Sequence, residues 1–311
     1  MFDSALGTAL QAAGQPAGTG SEEMNLISPE TVFTIHIENI KAGSDVITSN
    51  TFGVTQMMMR GDEERGLACL SEGLRIAVAA ANPRQNRDVS FNASNALDAR
   101  GEEAQYESPR SVLVALSIGP SGMLFEPFGD MTYESAEEVY TKQAKTAALC
   151  GADFILLETF SDVKEFVCAA GVAKKETNLP VLGTMSFDKS GHTFMGATPA
   201  DFVRESRACG LTAIGANCSL GPDEMIPVIT EIIAENNKNP APLPIIAQPN
   251  AGQPVYKNGR SVYEISSGDF AAGSEKLLGL GTSAIGGCCG STTQMIAALR
   301  GIIDANEKDG K

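Results

Sequence analysis

Three cysteines stand where the chain could do metal chemistry. Cys288 and Cys289 are adjacent, within Gly286-Gly287-Cys288-Cys289-Gly290-Ser291-Thr292, after a short apolar run and at the start of the last predicted helix. Adjacent cysteines rarely bridge each other, because the small ring strains both the disulfide and the peptide between them. Two neighbouring thiolates can instead face one metal ion, and glycine neighbours let the backbone turn tightly enough to aim them. Cys218 closes Gly215-Ala216-Asn217-Cys218 at the end of another predicted strand. Three sulfurs with one position left open suit a catalytic zinc better than a closed structural one. The spacing is not that of a zinc finger, so the ligand set depends on the fold bringing distant strand ends together.

The other four cysteines, Cys69, Cys150, Cys168 and Cys209, lie in helix-like segments rich in alanine and glycine and read as small buried hydrophobes. Seven cysteines is an odd number, and no basic-then-apolar leader is visible. A cytoplasmic protein without a disulfide framework is expected.

The elements that must carry the three sulfurs follow from the apolar runs. Predicted strands cover residues 1–3 (short for a strand), 45–49, 112–118, 153–157, 180–186, 213–216, 244–247 and 282–286. Helices follow at about 28–42, 62–81, 133–150, 163–176, 199–208, 222–236, 270–278 and 291–305, with residues 4–8 read as a small-residue turn. Ser28-Pro29 is a helix start, with serine as N-cap and proline at the first helical position. The strands read as continuous apolar runs, as in a parallel sheet covered on both faces. Eight such units predict one α/β domain over residues 1–311, a (β/α)8 TIM barrel with its site at the C-terminal ends of the strands. A doubly wound sheet is the alternative, but no dinucleotide fingerprint or Walker loop follows the first strand. Residues 82–111 are polar, aperiodic and long for a connection, and read as an insertion. The barrel places Asp3, Asn50, Gly119, Glu158, Ser186, Asn217, Cys218, Asn250, Cys288 and Cys289 on one rim.

Charge narrows the function. The net charge is −15 and no Lys/Arg cluster stands out, so nucleic acid is not an expected partner. No apolar run approaches the length of a membrane span.

The paired cysteine segments resemble those of the homocysteine S-methyltransferases, a family that includes the homocysteine-binding domain of cobalamin-dependent methionine synthase and betaine–homocysteine methyltransferase. Further segments agree in order along nearly the whole chain: residues 3–8, Asn25-Leu26, Ser49-Asn50-Thr51-Phe52-Gly53, Gly119-Pro120-Ser121-Gly122, Leu157-Glu158-Thr159-Phe160, residues 196–199 and Pro249-Asn250-Ala251-Gly252. The stretch 119–130 is more similar to the methionine synthase domain. The chain departs from the family pattern in its short first strand, in Ser4 where glycine is usual and in the length of residues 82–111.

The resemblance implies a zinc ion on Cys218, Cys288 and Cys289, with Asn250 as a candidate fourth ligand before substrate arrives. It implies Glu158 as the catalytic residue that takes the homocysteine ammonium, with Asp3 assisting at the amino end or ordering the first loop. The substrate carboxylate is expected on backbone N–H groups near Ser4 and Ala5 or on Ser117, and Asn217 is expected to shape the turn beside the substrate. His192 reads as a solvated loop residue, His36 as structural, and Met57-Met58-Met59 as packing at a helix start.

The implied reaction is methyl transfer to the homocysteine thiol, giving methionine. Its donor would be methylcobalamin on a separate corrinoid protein, since the chain looks like the methionine synthase module standing alone, without folate, cobalamin or reactivation domains. The alternatives are a homocysteine methyltransferase using S-methylmethionine, S-adenosylmethionine or betaine, and a thiol-binding subunit without turnover of its own.

Overall fold

The computed structural model describes residues 1–82, 111–257 and 260–308. The predicted insertion at 82–111 lies, apart from its two end residues, outside them. Seven strands form one curled sheet, all parallel, in the order β1 (Val46–Thr48), β2 (Leu113–Ile118), β3 (Phe154–Phe160), β4 (Val181–Met185), β5 (Ala213–Asn217), β6 (Ile245–Gln248) and β9 (Ala284–Ile285). Between β6 and β9 in the chain, β7 (Val255–Lys257) and β8 (Arg260–Val262) make a separate antiparallel hairpin that the apolar pattern had not marked.

Residues 1–3 close the ring between the two edge strands. Phe2 N donates to Ile285 O at 2.8 Å and Gly287 N to Asp3 O at 3.1 Å, while Asp45 N and Val46 N donate to Met1 O at 2.8 and 3.1 Å. The barrel reading therefore holds, with a backbone bridge in the place of the first strand. Phe2 plugs the barrel interior, 2% exposed and edge-on to Phe154 at 6.2 Å, among Val46, Leu156 and Ile246. Burying such a ring contributes about 2–3 kcal/mol.

The helices are α1 (Leu6–Ala12), α2 (Met24–Ile27), α3 (Pro29–Lys41), α4 (Val54–Met59), α5 (Glu63–Ala81), α6 (Tyr133–Cys150), α7 (Val163–Glu176), α8 (Pro199–Ala208), α9 (Pro222–Asn236), α10 (Ser267–Gly279) and α11 (Thr293–Lys308). Residues 4–8, expected as a turn, instead lead into α1. Leu6 and Leu10, four apart, both bury, and that spacing puts them on one helical face. The methionine run ends a short helix of its own, α4, with Met58 buried, rather than starting α5. Side-chain caps hold several of the long helices, although Ser28, read as an N-cap, makes no cap bond. Thr132 accepts from Ser135 N and Thr198 from Asp201 N, both at 3.1 Å, and Pro29, Pro199 and Pro222 sit at helix starts. Among the described residues no helix is long and apolar enough to cross a membrane.

Candidate active site

The C-terminal ends of β3, β5, β6 and β9 meet the first turn of the chain around a cavity of about 260 Å³. Cys218, Cys288, Cys289, Glu158, Ser117 and Gln248 all line it. The cysteine sulfurs lie within 4.8 Å of one another, and Cys218 Sγ is 3.7 Å from Cys289 Sγ. Two sulfurs bound 2.3 Å from a tetrahedral zinc stand about 3.8 Å apart, so the spacing suits a shared ion.

Local backbone geometry aims these sulfurs. Cys218 and Ser219 have φ of 64° and 58°, the left-handed region that non-glycine residues avoid at a cost of about 1–3 kcal/mol each. The kink is held by Cys218 N donating to Gln248 O at 3.0 Å and Leu220 N to Cys218 O at 2.6 Å. On the other side Cys288 N donates to Pro249 O and Ala251 N to Cys289 O, at 2.8 and 2.9 Å. The Cys-Cys turn is thus laced to the Pro249–Ala251 segment before any metal arrives.

The three thiols titrate as a unit. Cys289 is drawn down to about 3, chiefly by hydrogen bonds from Cys218 and Cys288. Cys288 goes well up, because it gives hydrogen bonds to the other two sulfurs and is buried. Cys218 reaches about 12; its bond with Cys288 opposes the rise, but its bond to Cys289, burial and the Cys289 charge prevail. One thiolate forms readily and the next two resist, so full ionisation of the trio needs a cation among them. None of the residues lining the cavity is basic, and two, Glu22 and Glu158, are acidic. The donor set therefore fits zinc.

Glu158 enters the cavity through a break in strand register between Leu157 and Phe160. Thr159, in the same break, has φ of 60°. Burial pushes the Glu158 carboxyl up to about 7, with the Ser117 hydrogen bond opposing and the Cys289 charge adding. Ser117 Oγ donates to Glu158 Oε1, and Asn217 Nδ2 reaches Glu158 Oε2 at 3.4 Å.

Asn217 is fully buried and lies outside the cavity wall. Its Nδ2 donates to Thr159 Oγ1 at 2.6 Å and reaches Cys288 Sγ at 3.8 Å, while its Oδ1 accepts from Thr159 N and Thr184 Oγ1, both at 2.8 Å. It touches Glu158 and Cys288 from behind the cavity wall.

Asp3 is also buried, and its carboxylate is taken by Thr48, whose N and Oγ1 both donate at 2.8 Å. Burial pushes it to about 7 against those two bonds. These bonds tie residue 3 to the end of β1. The amides of Ser4 and Ala5 are committed too, Ser4 N to Asn39 Oδ1 at 2.9 Å and Ala5 N to Ser291 Oγ at 3.0 Å, although both residues line the cavity. Those two N–H groups are therefore not free for a carboxylate. Asn250 is 4% exposed and its Oδ1 has no hydrogen-bond partner, but it does not line the cavity the three cysteines share.

His192 is exposed in its loop, and His36 is buried in α3 with neither ring nitrogen bonded, so burial lowers it to about 4. The sequence reading missed Gln248 and Thr48. Gln248 sits opposite Asn217 in the strand register, a relationship that exists only once the sheet is built.

The homocysteine S-methyltransferase family profile matches residues 1–303. A methionine synthase from Mycobacterium tuberculosis is 27% identical over 305 residues, covering 93% of this chain and 23% of that protein. The chain thus spans about a quarter of that relative's length. The fold is similar to the metallated form of the homocysteine methyltransferase MmuM from Escherichia coli, with TM-score 0.73 at 20% identity over 97% of this chain and 95% of that one. Its oxidized form gives the same TM-score and identity over 97% and 94%.

Proposed function

The chain belongs to the homocysteine S-methyltransferase family, and from that premise we propose that it moves a methyl group onto the thiol of homocysteine, giving methionine. The observation that carries this reading is the set of three cysteine sulfurs sharing one cavity with the Glu158 carboxylate.

Cys218, Cys288 and Cys289 are the residues that hold zinc, with Asn250 Oδ1 available as a fourth donor when substrate is absent. The chemistry zinc supplies when bound is to keep a thiol ionised at neutral pH, well below its ordinary pKa near 8.5. Glu158 takes the substrate ammonium; Ser117 and Asn217 hold its two oxygens in place. Asp3, through Thr48, orders the first loop. The carboxylate end lies toward the first turn of α1, residues 6–8, which lines the same cavity. The homocysteine sulfur, its proton lost, attacks the methyl carbon in line. A C–S bond forms, and the bond to the donor breaks with its electron pair staying on the donor. The proposed setting is a reducing one, which keeps the cysteines as thiols able to take a metal.

For the donor we propose methylcobalamin carried by a separate corrinoid protein. Sequence similarity to a methionine synthase, 27% identical over 305 residues, supports this choice. The test is to incubate zinc-loaded protein and homocysteine with methylcobalamin, S-methylmethionine, S-adenosylmethionine and betaine in turn, and to measure methionine. Methionine from methylcobalamin alone is the expected result. Methionine from a sulfonium or betaine replaces the donor, and none from any donor points to a thiol-binding subunit.

A further inference from the structure

Gln248 ends β6, is 3% exposed and lines the cavity of the three cysteines. Its side-chain oxygen, Oε1, is buried with no hydrogen-bond partner. Among the described residues with such an unpaired buried atom, Gln248 alone lines that cavity. Register sets it opposite Asn217, and residues in register on neighbouring strands share a face of the sheet. On that face the Asn217 amide reaches both Glu158 and Cys288. Gln248 thus stands beside the group that spans the two ends of the cavity.

A buried oxygen left unpaired lowers stability, and folded chains rarely keep one without a use. An amide oxygen only accepts, so its partner must be a donor. Homocysteine with its thiol ionised offers donors at one place, the ammonium, which carries three N–H groups. The Glu158 carboxylate already holds Ser117 and Asn217, which leaves room for a second acceptor. We propose that Gln248 is a specificity-determining residue: its side-chain oxygen accepts an N–H of the substrate ammonium alongside Glu158 and so selects thiols that carry an amino group. This rests on the homocysteine reading above and adds a second acceptor to it. A neutral amide suits the place, because another carboxylate would add charge beside three thiolates. A thiol lacking the amino group leaves the oxygen unpaired and is rejected on that account.

The experiment titrates zinc-loaded wild type and Gln248→Met, which keeps the length of the side chain without its oxygen, with homocysteine and with 4-mercaptobutanoate, which lacks only the amino group. Gln248→Met should bind homocysteine roughly 10- to 100-fold more weakly and 4-mercaptobutanoate as wild type does. An unchanged homocysteine affinity overturns the proposal, and so does an equal loss for both thiols, which assigns the effect to shape. Glu158→Ala provides a check with Gln248 intact: it should still prefer homocysteine, and a preference reduced to none overturns the proposal without any change at 248. A wild-type chain that binds neither thiol overturns the homocysteine reading itself, a result distinguishable from failure of Gln248 alone.

Discussion

The side-chain amide of Asn217 reaches the Cys288 sulfur at 3.8 Å, and the same nitrogen reaches the Glu158 carboxylate at 3.4 Å. One buried amide therefore sets the spacing between the sulfur end of the cavity and its carboxylate end. Asn217→Ala would leave Thr184 Oγ1 and Thr159 N without partners in a dry interior. The expected loss is about 2–6 kcal/mol of stability, from one to three for each of the two orphaned groups. Denaturant unfolding checks it, together with a fall in kcat/KM at unchanged zinc content.

Removing a sulfur tests the metal directly. Cys288→Ala or Cys218→Ala should take zinc from about one ion per chain to near none, since two thiolates no longer complete the site. Metal analysis of dialysed protein measures this, and methionine production should disappear with the metal. Full turnover by a zinc-free variant would refute the mechanism.

Glu158→Gln separates substrate binding from metal binding. Hydrogen bonds to charged groups are worth about 1.5–3 kcal/mol, so homocysteine should bind roughly 10- to 150-fold more weakly. Zinc should remain bound. Calorimetric titration with homocysteine gives the number, and an unchanged affinity removes Glu158 from the ammonium site.

The same variant carries a pH signature. Burial raises the Glu158 carboxyl from 4.5 to about 7. Between those values the folded chain keeps a proton that the unfolded chain has released, so this group's contribution to stability falls as pH rises. Glutamine does not titrate. The stability of Glu158→Gln relative to wild type should therefore climb from about pH 4.5 to about pH 7 and level off above. Melts at pH 5, 6, 7 and 8 provide the check, and a difference that is flat or falls with pH contradicts the burial argument.

Gly215 links the barrel to its site. A Cβ there would lie 1.9 Å from Ile246 O, on the neighbouring strand β6. Gly215→Ala must force β5 and β6 apart, at a cost of about 3 kcal/mol or more. The same displacement moves Cys218, three residues on. Lower solubility, a lower denaturation midpoint and weakened zinc binding are expected together, and wild-type values in all three measurements would refute the close-contact argument.

The elements were legible because parallel strands buried on both faces read as continuous apolar runs, and because proline marks helix starts in a local, countable way. Predicted helix 28–42 is observed as Pro29–Lys41, and 133–150 as Tyr133–Cys150. The start of α1 was not legible: its residues are small, and only Leu6 and Leu10 finding a buried face makes it a helix. The hairpin after β6 escaped for a similar reason, since two three-residue strands carry too little periodicity to register.

By itself the sequence determined which residues could be ligands, through two cysteines between glycines and a third at a strand end, and which order of strands would carry them. The tertiary structure decided what each neighbour does. Asp3 spends its carboxylate on Thr48, the Ser4 and Ala5 amides are consumed by Asn39 and Ser291, and Asn217 works from behind the wall. Tyr263 packs its ring on Gly290, where a side chain would leave it no room. Hydrogen-bond commitments between residues far apart in the chain depend on register and on distances of a few ångströms, and those exist only once the barrel has closed.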